Sequence, residues 1–141
     1  MNGSKYPKPI EDYIREGIGF LVLEKEFGAE MYEYLGNGKT VLELVTDWAA
    51  ELTVENNVVQ LVSAYGNAVR FVDTGKGKVL LEGMPFDENN KWYEIGEFRG
   101  RIVDVHMKSV EKEDKIEMKT EILIECEGNS SCLKLGGENG H

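Results

Sequence analysis

The sequence predicts an α+β domain in which N-terminal helices pack on an antiparallel sheet of two β-hairpins, with a glycine-containing helix between the hairpins. Three observations predict it. Apolar residues recur at spacings of three and four before Gly66, two β-rich segments joined by a glycine-bearing turn follow it, and a strict two-residue alternation runs towards Cys126.

Residues 1–8 are polar, carry Pro7, and read as an arm ahead of a single domain over residues 9–136, with a tail at residues 137–141. Pro9 suits a first helical turn, and Ile10, Tyr13 and Ile14 continue it to Gly17-Ile18-Gly19. Phe20, Leu23, Phe27, Met31, Tyr34 and Leu35 predict a second helix over Phe20 to Leu35, closed by Gly36-Asn37-Gly38, although Phe20 to Leu23 alone suits a strand. Thr40 and Glu43 form a capping-box pattern ahead of the stripe Val41, Leu44, Val45, Trp48 and Leu52, which predicts a helix to about Thr53. Asn57 and Gln60 repeat that signal before Val58, Leu61, Val62 and Tyr65.

After Gly66 the pattern changes. Ala68 to Val72 and Lys78 to Gly83 are β-rich and joined by Thr74-Gly75-Lys76-Gly77, a hairpin, and Met84 to Lys91 reads as a loop. Ile95, Phe98 and Ile102, with Gly96 and Gly100 four apart, predict a helix from Trp92 to about Arg101 that closely approaches a neighbour. Val103, Val105 and Met107 then alternate with Asp104, His106 and Lys108, as in a strand pairing across Glu111-Lys112-Glu113 with the next one. That next strand places Ile116, Met118, Thr120, Ile122, Ile124 and Cys126 on one side. Glu127 to Ser131 is turn-rich, and Leu133 and Leu135 resume as the short second strand of a hairpin.

Composition limits the function. A chain of 141 residues with 41% hydrophobic content can bury one core. Its 26 acidic against 16 basic residues, a net charge of −10, argue against a nucleic-acid partner. Met1 to Pro9 has no signal-peptide pattern and no apolar run approaches a membrane span, so the expected compartment is the cytoplasm. Gly75-Lys76-Gly77 lacks the pattern of a phosphate loop, and His106 has no serine, cysteine or acid tied to it by a catalytic spacing.

Phe27-Gly28, the run Tyr65-Gly66-Asn67-Ala68-Val69-Arg70-Phe71-Val72, Pro85-Phe86, the pair Gly96 and Gly100, and Cys126 to Cys132 together resemble the 4-vinyl reductase family of predicted hydrocarbon-binding proteins, whose fold is similar to that of TRAPP vesicle-tethering subunits. The match is partial, because Lys91-Trp92-Tyr93 stands where family members tend to carry a further cysteine. The resemblance implies a homodimeric binding module holding an apolar small molecule between helices and sheet, with metal bound through cysteines in some members.

Under that reading Trp48, Tyr65, Trp92 and Phe98 are the aromatic candidates for the pocket wall, and Met118 lies on the apolar face behind which the pocket should sit. Cys126 and Cys132 invite three readings: two inert thiols, a disulfide across a short turn, or two thiolates on a soft metal such as zinc, with His106 as the nearby imidazole. The favoured function is non-enzymatic ligand binding. A metal-binding or redox protein and a TRAPP-like interaction scaffold are the alternatives.

Overall fold

The computed structural model describes residues 6–34, 38–86, 90–127 and 132–135. Two short helices, α1 (Ile10–Arg15) and α2 (Phe20–Phe27), precede nine strands: β1 (Glu30–Tyr34), β2 (Lys39–Asp47), β3 (Glu51–Glu55), β4 (Val58–Val62), β5 (Ala68–Asp73), β6 (Lys78–Met84), β7 (Tyr93–Glu111), β8 (Ile116–Cys126) and β9 (Leu133–Leu135). The strands pair antiparallel in the order β1-β2-β8-β7-β6-β5-β4-β3, with β9 also on β7.

The 19-residue β7 organises the sheet. Its first half, through Arg99, pairs with β6, and its second half, from Gly100 to Glu111, pairs with β8. Hydrogen bonds fix which edge each partner takes. The main chain of Arg99 donates to Cys132 O and accepts from Glu127 N, both at 3.0 Å, whereas Gly100 N–H turns the other way to Gly77 O at 2.8 Å. Strands β8 and β9 therefore lie end to end along one edge of β7, with β6 on the other.

One core fills the interior. Leu42 and Leu44 of β2, Val59 and Leu61 of β4, Val69 and Phe71 of β5, Val79 and Leu81 of β6, Ile95 and Phe98 of β7, and Ile122 and Ile124 of β8 are all buried in one cluster with Leu23 and Phe27 of α2. Each such side chain contributes about 1.5–3 kcal/mol of transfer free energy, so the sheet and α2 form one unit. A smaller cluster of Tyr6, Ile10, Tyr13, Val22 and Tyr93 seats α1 against β7, so the described end of the expected arm is packed.

The α+β arrangement expected from the sequence is corrected: this is a mostly antiparallel β protein with two short helices. The second helix ends at Phe27, because Gly28 takes a left-handed C-cap (φ 57°) and the chain turns into β1. The predicted helix from Thr40 is β2 and β3. Both Val41 and Leu42 are buried on β2, so the alternation that marks a strand is lost. Thr40 caps no helix, and its hydroxyl instead donates to Cys126 Sγ at 3.3 Å.

The second capping pattern is a hairpin turn. Asn56 (φ 54°) and Asn57 (φ 66°) form a two-residue left-handed connection between β3 and β4, and β-branched Val58, Val59 and Val62 favour the strand. The expected glycine-containing helix is the first half of β7. Its glycines do allow close approach, but to strands: a Cβ on Gly96 would sit 2.6 Å from Lys134 O, and one on Gly100 would clash with Glu125 O. The hairpin of β5 and β6 and the pairing of the long strand with β8 are as the alternation implies. The last hairpin is not one. Leu133–Leu135 pairs with β7, so the strands on either side of the Cys126–Cys132 disulfide share a single edge of β7. The expected stop at Gly36-Asn37 and the tail at residues 137–141 lie outside the described residues.

Candidate functional site

Beyond Gly100 the β6-side edge of β7 has no strand partner among the described residues. Asp73, the last residue of β5, takes the place of one: its Oδ2 accepts from Ile102 N at 3.1 Å and its Oδ1 from Gly75 N at 3.0 Å. Its own N–H donates to Asn57 O at 2.9 Å, tying the β3–β4 turn to the same point. With both oxygens committed to main-chain donors, Asp73 fixes the spacing between the turn and β7.

A bulge between Ile102 and Asp104 then shifts the register. Cys126 N–H points to Gly38 O (2.8 Å), so alternate residues of β8, Glu125, Leu123 and Glu121 among them, turn their main-chain groups towards β7. Opposite them stand Arg101, Asp104 and His106, which leaves the main-chain groups of Val105, Met107 and Ser109 on the open edge.

Two adjoining clefts follow this edge. One of about 510 Å³ lies between the β3–β4 turn and β7, lined by Val54, Val59, Ile102, Val103 and Val105 with Glu55, Asn56, Asn57, Asp73 and Asp104. The other, about 480 Å³, shares Asn57 and Asp73 and continues past Gly75, Gly77 and Gly100 to Arg101, Glu125 and Glu127. Together they form a groove with an apolar floor near Val105 and five carboxylates on its walls against one guanidinium. That guanidinium is already paired, Arg101 Nη2 to Glu125 Oε1 at 2.8 Å. A broader depression of about 660 Å³ at the β7–β8 tip has only Trp48 and Ile116 as apolar lining, among five charged residues.

The outer face of β1, β2, β8 and β7 carries a second arrangement. Glu30, Glu43, Glu121 and His106 stand abreast in register across the four strands. The Glu43 and Glu121 side chains are only 15% and 14% exposed. Tyr32 OH donates to Glu43 Oε2 at 3.0 Å, Lys119 Nζ lies 3.6 Å from Glu43, and His106 Nε2 lies 2.5 Å and Lys108 Nζ 3.4 Å from Glu121. Burial pushes the Glu121 carboxyl up, but hydrogen bonds with Glu43 and His106 and the Lys108 charge outweigh it and hold the group below its usual range. Burial of the hydroxyl, then its bond to Glu43, pushes the Tyr32 phenol up to about 12. This ladder joins four strands electrostatically, and His106 Nδ1, 3.4 Å from Asp104 Oδ2, links it to the rim of the groove. Among the described residues no group of three or more His, Cys, Asp or Glu side chains is placed to hold a metal ion.

The residues singled out in the sequence do not converge. Trp48 and Tyr65 are each 72% exposed, at the β2–β3 corner and in the β4–β5 turn. Trp92 is half-buried beneath the Arg70 guanidinium, 4.0 Å from its ring centre, and Phe98 is wholly inside the core. Met118 is half-buried on the inner face of β8 opposite Thr46 and Ser109. Cys126 and Cys132 are buried and joined as a disulfide, Cα atoms 5.6 Å apart. His106 lies opposite Glu121, five residues along β8 from Cys126, on the other face of the sheet. A disulfide, not a pair of thiolates, is therefore what these sulfurs present.

No family model, curated protein or solved structure matches the chain. Of the segments that carry the resemblance to 4-vinyl reductases, Phe27-Gly28 closes α2, Gly96 and Gly100 lie in β7, and Cys126 and Cys132 are disulfide-bonded. None of the groove residues Val54, Asn57, Asp73, Val103 and Val105 stands out in the sequence as a site residue. Asn56-Asn57 between β-branched runs was the one signal that pointed to them, as a hairpin turn.

Proposed function

We propose that this chain is a non-enzymatic binding module for a small ligand with an apolar body and a cationic end, held in the groove between the β3–β4 turn and the second half of β7. The observation that carries the reading is the lining of that groove: five apolar side chains from Val54 to Val105 beside Glu55, Asp73 and Asp104, in a cleft of about 510 Å³. Such a size and mixture suit a ligand that buries a hydrocarbon portion and is oriented by few polar contacts. The net charge of −10 favours a cation on approach as well as in the site. Asp73 is occupied by main-chain N–H groups, which supports a positioning role for it; at the rim Glu55, and Asp104 with its Oδ2 3.4 Å from His106 Nδ1, meet the charge.

The test is isothermal titration of the intact chain with octylammonium, octanoate and octanol. Saturable binding of octylammonium, weakened at least fivefold by Val105→Asp and only weakly shared by octanoate, supports the reading. Absence of saturable binding by all three probes overturns it, and so does octylammonium binding that Val105→Asp leaves unchanged. No described helix is long and apolar enough to cross a membrane.

A further inference from the structure

We infer that this groove also accepts an extended basic segment of another polypeptide, added as a strand to the open edge of β7. The inference rests on the binding reading above, since the same apolar floor and acidic rim receive the segment's side chains. From Val105 to Glu111 the β6-side edge of β7 offers main-chain donors and acceptors that no described strand uses, while the opposite edge is fully paired with β8. Such an edge is a template for strand addition unless it is covered or blocked. Asp73 blocks only its beginning, at Ile102.

The chemistry of the partner follows from what flanks the edge. Side chains of an added strand alternate between two faces. Those turned inward meet Val54, Val59, Ile102 and Val105, and those turned outward meet Asp104 and Glu55. The adjoining cleft adds Glu125 and Glu127, with Arg101 paired to the first. An alternating apolar and basic segment fits both faces, and an acidic one is repelled. Val54 is 59% exposed although it lines the groove, an apolar surface that an added strand would cover.

The experiment measures fluorescence anisotropy of labelled peptides of about seven residues, the length that spans Val105–Glu111 at ~3.4 Å per residue. The probes are alternating Lys–Val, alternating Glu–Val, and Lys–Val peptides N-methylated at every second residue in either of the two frames. The expected result is saturable one-to-one binding of Lys–Val that weakens with salt, no binding of Glu–Val, and at least tenfold loss in one N-methylated frame only. Glu55→Lys and Asp104→Lys, both at exposed positions, should each weaken Lys–Val binding several-fold with thermal stability retained. Equal binding of both N-methylated frames shows attraction without strand pairing and overturns the inference. Octylammonium binding with no peptide binding also overturns it and leaves the small-ligand reading standing, whereas failure of every probe removes both.

Discussion

Gly96→Ala separates the strand from the helix by sign. In an exposed helix interior, alanine in place of glycine stabilises by about 1 kcal/mol. In β7 the added Cβ would lie 2.6 Å from Lys134 O, 3.1 Å from Leu135 Cα and 3.3 Å from Lys134 C, all backbone atoms of β9. Real Cβ contacts essentially never fall under 3.0 Å, so β9 must retreat by roughly 0.5 Å or lose its pairing with Gly96–Phe98. Overpacking of this kind costs about 1–3 kcal/mol. The restricted unfolded chain returns about 0.4–1 kcal/mol, leaving a net loss of about 1–2 kcal/mol. For a chain of this length that is a fall in Tm of roughly 3–8 °C. Differential scanning calorimetry of wild type and variant reads it. A rise in Tm, or no change, would refute the placement of β9 against Gly96.

Three further outcomes follow from particular contacts. Replacing Cys126 and Cys132 together with alanine, or reducing the native chain, should cost about 2 kcal/mol, the loop-closure value for a ring of about seven residues, while chelators leave Tm unchanged; two reactive thiols in the unreduced, unfolded protein would contradict this. Thr120 is fully buried and its hydroxyl finds no described partner, so Thr120→Val should stabilise by about 1 kcal/mol in urea unfolding, and a loss would mean that the hydroxyl is satisfied. The Tyr32 phenol is raised from 10.0 to about 12, so its contribution to stability is full below pH 10 and lost as pH rises through about 12. The Glu121 carboxyl is depressed, so its contribution is present above the usual carboxylate value of 4.5 and lost as pH falls through its folded value. Tyr32→Phe should remove one step near pH 12 from the tyrosine titration at 295 nm, and an unchanged titration there would show that this phenol is not the shifted one.

The parts of the fold legible in the sequence are those whose two faces differ. Strand β8 alternates cleanly because Thr120, Ile122, Ile124 and Cys126 face the core while Glu121 and Glu125 face outward. The β5–β6 hairpin was legible through Gly75 and Gly77, both at positive φ. Strand β2 was not: burial of both Val41 and Leu42 erased its period, and Thr40 with Glu43 imitated a helix start. Gly96 and Gly100 at a spacing of four looked helical because close approach demands glycine on a strand as much as on a helix. The groove was illegible for a different reason. It is assembled from the β3–β4 turn, the end of β5 and the middle of β7, and Asp73 carries no local sign that it will receive Ile102 N–H 29 residues later.

The most direct measurement is amide chemical-shift mapping of the isotope-labelled chain titrated with the alternating Lys–Val peptide. Strand addition in the groove requires the largest shifts at Val103–Glu111 and Val54–Val59, with protection from exchange gained at Val105, Met107 and Ser109, whose N–H groups face the open edge. Shifts centred instead on the exposed Leu21, Tyr65 and Phe86, or on Trp48 and Ile116 at the β7–β8 tip, would place binding elsewhere and contradict the assignment of function to the groove.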